Sequence, residues 1–196
     1  SSATSGGKML AWCGEKQWNN LFGVAQLRKT IQTAVLEEIF PYAPESVVIT
    51  NTAYKSCNDS APLAGIQRET KNSQLYNVLS SIKQLGIIDA KTIQEIEDIT
   101  GSKAANTVSA LAKFLREKME SGRKVVLSDV WSELQQPPFG FYNTIACGVL
   151  LGFVFSCYKD SAYSWTDSAQ GTFVLNESNI KTLVLNTCKG NMTTDY

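Results

Sequence analysis

Histidine is missing from all 196 residues. That removes the side chain that most often serves as general base near neutral pH and as zinc ligand. Net charge is missing too. Eighteen basic residues balance 18 acidic ones, so the chain has no overall positive excess to drive non-specific nucleic-acid binding, and any such binding would need a local patch. No C-x-x-C pair occurs. The five cysteines, Cys13, Cys57, Cys147, Cys157 and Cys188, are odd in number and scattered, which argues against a zinc site and for reduced, mostly buried thiols. No metal and no cofactor are expected. The uncharged apolar run from Ile145 to Tyr158 holds about 14 residues, short of the roughly 20 that span a bilayer, so a buried or interface helix is expected and no membrane association. Its Gly148 and Gly152 are spaced to let another backbone approach closely.

The opening stretch SSATSGGKML has no apolar core before a cleavage site, so a cytoplasmic location is expected. The N-x-S/T triplets at Asn58, Asn176 and Asn191 are then chance matches. SGGK is not a phosphate loop, because Ser2 stands where that motif needs glycine.

What is present is mostly helical. Val24 to Phe40 carries apolar residues at helical spacing and ends at Pro41 and Pro44. The stretch FPYAPESVVITNTAYKSCNDSAPLAG reads as irregular, with a short strand at Val47 to Thr50. Gln74 to Leu85, Ala90 to Thr100 and Lys103 to Ser121 read as amphipathic helices, the last capped by Ser102. KVVL reads as a short strand, and Ser128 as the cap of a helix from Asp129 to Gln135. Pro137, Pro138 and Gly140 form a turn, and a helix opens at Asn143. Tyr163 to Leu175 reads as a hairpin, and Asn176 caps a last helix with Ile180, Leu183 and Val184. The expected fold is mainly α: a helical domain with a winged-helix-like C-terminal part containing a small β-hairpin. The expected divisions are a disordered N-terminus over 1–8, a helical and irregular region over 9–72, and a helical plus winged-helix-like domain over 73–196.

Two segments carry a resemblance. VLEEIFPYAPESVVITNTAYKSCN, and VVLSDVWSELQQPPFGFYNTIACGVLLGF with the hairpin AYSWTDSAQGTF, resemble non-catalytic regions of the large bacterial P-loop ATPases of BREX-type phage-defence systems. The resemblance covers about half the chain. It implies a piece of a larger ATP-dependent antiviral defence protein that works with other domains or with defence-system proteins. The nucleotide-binding motifs of that family are not in this chain, so no catalytic residue follows from the resemblance and no enzymatic activity is expected.

Two groups of residues remain as candidates. Lys113, Arg116, Lys118, Arg123 and Lys124 form the densest basic cluster, with a net local charge of about +3 after Glu117 and Glu120, and are the candidate phosphate contacts. Phe139, Phe141, Tyr142, Tyr163 and Trp165 are the candidate partner contacts, since rigid aromatics dominate interface hot spots. A DNA-reading helix-turn-helix shows polar side chains from its second helix to base edges. Here that helix has no Arg or Lys before Lys159. A non-catalytic protein-interaction module is therefore the favoured expectation, and a DNA-binding winged helix that contacts phosphates through the basic helix end is the alternative.

Overall fold

The computed structural model describes Thr33 and residues 37–48, 53–122, 124–167 and 171–190. The chain divides into two compact units, Ser1–Pro41 and Tyr42–Tyr196. Of the first, Thr33, Glu37 and Glu38 are helical. Ile39 and Phe40 lie in the turn and coil that follow; the rest of the helix expected over Val24 to Phe40, and the N-terminus over 1–8, lie outside the described residues.

The second unit is mainly helical, with a small open antiparallel hairpin near its C-terminus. A 3-10 turn at Pro44–Ser46 leads to α1 (Ser60–Gln67), α2 (Ser73–Gln84), α3 (Ile93–Glu97), α4 (Lys103–Met119), α5 (Leu127–Leu134) and α6 (Ile145–Phe155). A 3-10 turn at Ser156–Tyr158, strands β1 (Ser164–Asp167) and β2 (Gly171–Val174), and α7 (Glu177–Lys189) complete it.

Several elements form for reasons visible in a few residues. Ser102 Oγ accepts the Ala105 N–H at 3.0 Å and starts α4. Asn176 Oδ1 accepts the Asn179 N–H at 2.9 Å and starts α7. Each side chain satisfies one amide that the first helical turn leaves without an intrahelical partner. The stripes Leu75, Val78, Leu79, Ile82 on α2 and Val108, Leu111, Ala112, Leu115 on α4 are buried. Thr92 caps α3, which is shorter than the helix expected over Ala90 to Thr100.

Four expectations need correction. SAPLAG is not irregular, since it lies within α1. Pro62 sits in the first turn, where a missing N–H costs no hydrogen bond. KVVL is not a strand: Lys124–Val126 are coil and Leu127 begins α5, and no strand among the described residues pairs with the segment. Ser128 is not a cap; Val126 holds that position without a side-chain bond, and the Ser128 carbonyl instead accepts the Ser132 hydroxyl. Val47 and Val48 close the first 3-10 turn by bonding back to the Pro44 carbonyl, so they are not a strand.

The centre of the unit is α6, and every one of its residues is buried. Burying a large apolar side chain fully is worth about 1.5–3 kcal/mol, and α6 contributes Ile145, Val149, Leu150, Leu151, Phe153, Val154 and Phe155. Its most extensive contact is with α1. The two backbones come together because Gly65 and Gly152 leave room for them, while Gly148 leaves room for side chains. A Cβ on Gly65 would press on the Val149 carbonyl and lie 2.6 Å from Phe153 N. One on Gly148 would lie 2.5 Å from Cys57 Sγ, and one on Gly152 would meet the Pro62 backbone, with Cα at 3.0 Å. The Gly148–Gly152 spacing therefore serves close helix packing inside this unit. No helix among the described residues is long and apolar enough to cross a membrane.

The N-terminus of α6 is also closed. Ile145 N–H donates to Lys55 O at 2.8 Å, Ala146 N–H to Ala53 O at 3.0 Å, Cys147 N–H to Thr144 Oγ1 at 3.3 Å, and Gly148 N–H to Thr144 O at 3.0 Å. The first three are among the donors that a helix start usually leaves open, and all three are taken; the Gly148 N–H makes the first intrahelical bond.

Candidate functional site

The structure brings the two segments that carry the family resemblance into contact. Tyr42 N–H donates to Pro138 O at 3.1 Å, and the Tyr142 hydroxyl donates to a Glu45 carboxylate oxygen at 2.9 Å. The Tyr42 and Phe139 rings lie 5.8 Å apart. Phe139 also meets Phe114 of α4 at 5.2 Å and Phe141 at 6.1 Å, edge to face with the latter. The turn itself is tight. Its Pro137–Pro138 bond is cis, Phe139 N–H donates to Gln136 O at 3.0 Å, and Phe141 N–H returns to Leu134 O at 2.8 Å.

This geometry divides the aromatic candidates. Phe139 and Phe141 are buried and anchor the turn from inside; Trp131 on α5 is buried as well. Tyr142 remains 38% exposed beside the exposed Pro137 and Pro138, while Tyr42 is half-buried. Burial and the Glu45 carboxylate push the Tyr142 phenol up, so it stays protonated and donates throughout the physiological range. Tyr42, Glu45, Pro138 and Tyr142 thus form one amphipathic face with a rigid aromatic floor. Tyr42 and Glu45 were not among the candidates; the signal for them is the proline-flanked FPYAPES segment, whose partner lies nearly a hundred residues on.

Tyr163 and Trp165 lie together at the base of the hairpin, both half-buried. Tyr163 meets Tyr158 edge to face at 5.0 Å, and Trp165 stacks on its cross-strand partner Phe173 at 5.2 Å. Tyr158 Oη and Trp165 Nε1 are buried with no hydrogen-bond partner among the described residues.

Two of the basic candidates are paired with carboxylates. Arg116 Nε bonds Glu97 Oε1, and Arg116 Nη1 lies 3.5 Å from Glu120 Oε2. The hydrogen bond that Arg116 donates to Glu97 raises the Arg116 pKa above its ordinary value, and Glu120 adds to this. Lys118 Nζ pairs with Glu133 Oε1 at 2.7 Å and lies over the Phe114 ring. Lys113 and Lys124 are exposed, and Arg123 lies outside the described residues. Glu97, Glu120 and Glu133 thus offset the charge of Arg116 and Lys118. Among the described residues no group of His, Cys, Asp or Glu could hold a metal ion.

No family model, no curated protein and no solved structure matches this chain.

Proposed function

We propose that this chain is a non-catalytic interaction and architectural module of a larger ATP-dependent phage-defence protein, with a winged-helix-like C-terminal part. The face built by Tyr42, Glu45, Pro138 and Tyr142 makes contact with a neighbouring domain or defence-system protein. The observation that carries this reading is the meeting of the two resemblance-bearing segments across that face. A second observation favours contact with protein over DNA reading. In a winged helix read from the order α5, α6, β1, β2, the helix that would enter the major groove is α6, and α6 is buried over its whole length.

Two measurements test the reading. The full reading frame that encodes this chain, with its neighbours, should include a Walker-type ATPase and a methyltransferase; a frame that closes on this chain with no such neighbours overturns the defence assignment. Titration with duplex DNA at about 50 and 200 mM salt should show no binding that weakens with salt. Salt-dependent binding that is lost in the Lys113→Ala, Arg116→Ala, Arg123→Ala variant would instead establish the DNA-binding alternative.

A further inference from the structure

The two edges of the hairpin differ. On β2 the Val174 carbonyl accepts the Asn176 N–H at 2.9 Å and the Asn179 Nδ2 at 2.8 Å, so it faces away from β1. In an antiparallel ladder, directly opposed residues turn their backbone groups either both toward each other or both outward, and the two kinds of pair alternate along the strands. Val174 is opposed to Ser164, and Thr172 to Thr166. Ser164 and Thr166 therefore turn their N–H and C=O groups outward from β1, while Trp165 between them turns its own toward Phe173. Ser164 and Thr166 are exposed. Among the described residues no third strand and no other backbone group pairs with them. On β2 the Val174 carbonyl is already taken twice, so β1 has the open edge. Ser164–Thr166 carry neither charge nor proline, the devices that commonly stop an edge strand from pairing.

We propose that this edge pairs with the same edge of a second copy of the chain, giving a four-stranded antiparallel sheet with the two β1 strands at its centre. The edge is complementary to itself. With Trp165 on the two-fold axis, Ser164 lies opposite the second copy's Thr166, and Thr166 opposite the second copy's Ser164. Each of these pairs exchanges both of its N–H to carbonyl bonds, so every outward group of the two residues gains a partner. The two Trp165 residues then form a pair without backbone bonds, the kind in which the Cα atoms lie about 4.5 Å apart and the side chains are closest. Ser164 and Thr166 hydroxyls lie opposite each other on the other face of the sheet, an arrangement that favours hydrogen bonding between them.

Charge does not oppose the pairing. No charged residue lies within Ser164–Thr166, and a net charge of zero leaves no long-range repulsion between copies. An edge strand can in principle accept any extended backbone; the two-fold register is what selects a second copy here. A two-stranded ribbon is marginal in water, and a sheet of three or more strands is the more stable form. The contact is short, so association is reversible and depends on concentration. It uses residues other than the Tyr42, Glu45, Pro138 and Tyr142 face and does not depend on the function proposed for that face.

Sedimentation equilibrium of the whole chain tests the proposal. The mass should rise from 21.5 kDa toward twice that value as concentration increases. Amide exchange then identifies the edge. The Ser164 and Thr166 amides should slow as the dimer fills, while those of Thr172 and Val174, outward on β2, stay fast. Thr166→Pro removes an N–H that the hairpin itself does not use, and should hold the mass at 21.5 kDa at every concentration. Thr166→Lys should do the same by placing a charge on the edge. The exchange pattern of the unmodified sequence decides the matter even if neither variant keeps its hairpin. A mass that stays at 21.5 kDa up to about 1 mM overturns the proposal. A dimer whose Ser164 and Thr166 amides remain fast also overturns it, because association then lies elsewhere. Slow amides at every concentration overturn it as well, because the edge is then covered within one chain.

Discussion

The α1–α6 seam and the Ser164–Val174 hairpin are held together by opposite means. In the seam, backbone meets backbone, and Gly65, Gly148 and Gly152 are required for the space they leave empty. In the hairpin, Gly171 is required for its φ of 97° and has open space around it. The seam is continuous with the buried core. The hairpin pairs only with itself among the described strands, and its outer residues Thr172 and Val174 are exposed. A two-stranded ribbon alone is marginal in water, so the stacked Trp165–Phe173 pair and the Tyr158–Tyr163 contact carry much of its order. The lesson is that mutational sensitivity here should follow which atoms can move aside, with hydrophobicity a poorer guide.

The comparison is tested most severely by Phe153→Ala in α6. This should remove about 3–5 kcal/mol, read as a lower urea midpoint with an unchanged slope. It deletes a fully buried ring and the surface beneath the Arg68 guanidinium, which lies 5.2 Å from the ring centroid. Gly152→Ala comes next. One added methyl should cost near the upper end of roughly 1–3 kcal/mol, because the atoms it meets belong to the Pro62 backbone and cannot rotate away. A loss below about 0.5 kcal/mol would show that the seam is looser than drawn.

Arg68→Ala sharpens the same side. Arg68 ends α1 with a φ of 61°, donates to Ile88 O at 3.1 Å and to Ser156 Oγ at 3.2 Å, and so ties the ends of α1 and α6 to the loop before α3. Its loss should cost about 1.5 kcal/mol, the lower end for a charged hydrogen-bond donor, since the side chain is only half-buried. On the hairpin, Phe173→Ala should cost about 0.2–1 kcal/mol globally. It should also speed amide exchange in Ser164–Val174 while leaving α6 protected. Faster exchange across α6 would mean that the two regions unfold together.

Much of this architecture is legible in short stretches of chain. The caps Ser102 and Asn176, the stripes of α2 and α4, and the hairpin each depend on residues a few positions apart. α1 was not legible in that way. Ala61, Pro62, Ala64 and Gly65 are small, so they give no apolar stripe, yet small size is what lets the helix lie against α6. KVVL misleads for the converse reason: β-branched residues favour a strand only where a partner strand is present. The face joining Tyr42 and Glu45 to Pro138 and Tyr142 was half-legible. PPFG marks a rigid aromatic turn, but nothing nearby in sequence points to its partner. The basic cluster was visible as composition, while its neutralisation by Glu97, Glu120 and Glu133 depends on how α3, α4 and α5 assemble.

Local chain chemistry was enough for the helical class, the hairpin and last helix, and the interior place of the segment Ile145–Phe155. A run without charge or polar face has nowhere to lie but inside, and too short a run cannot cross a bilayer. The close glycine seam and the pairing of the basic side chains arise from residues far apart in the chain. Which distant surfaces touch is settled by packing the whole unit without voids or unpaired polar groups, and no window of a few residues contains that information.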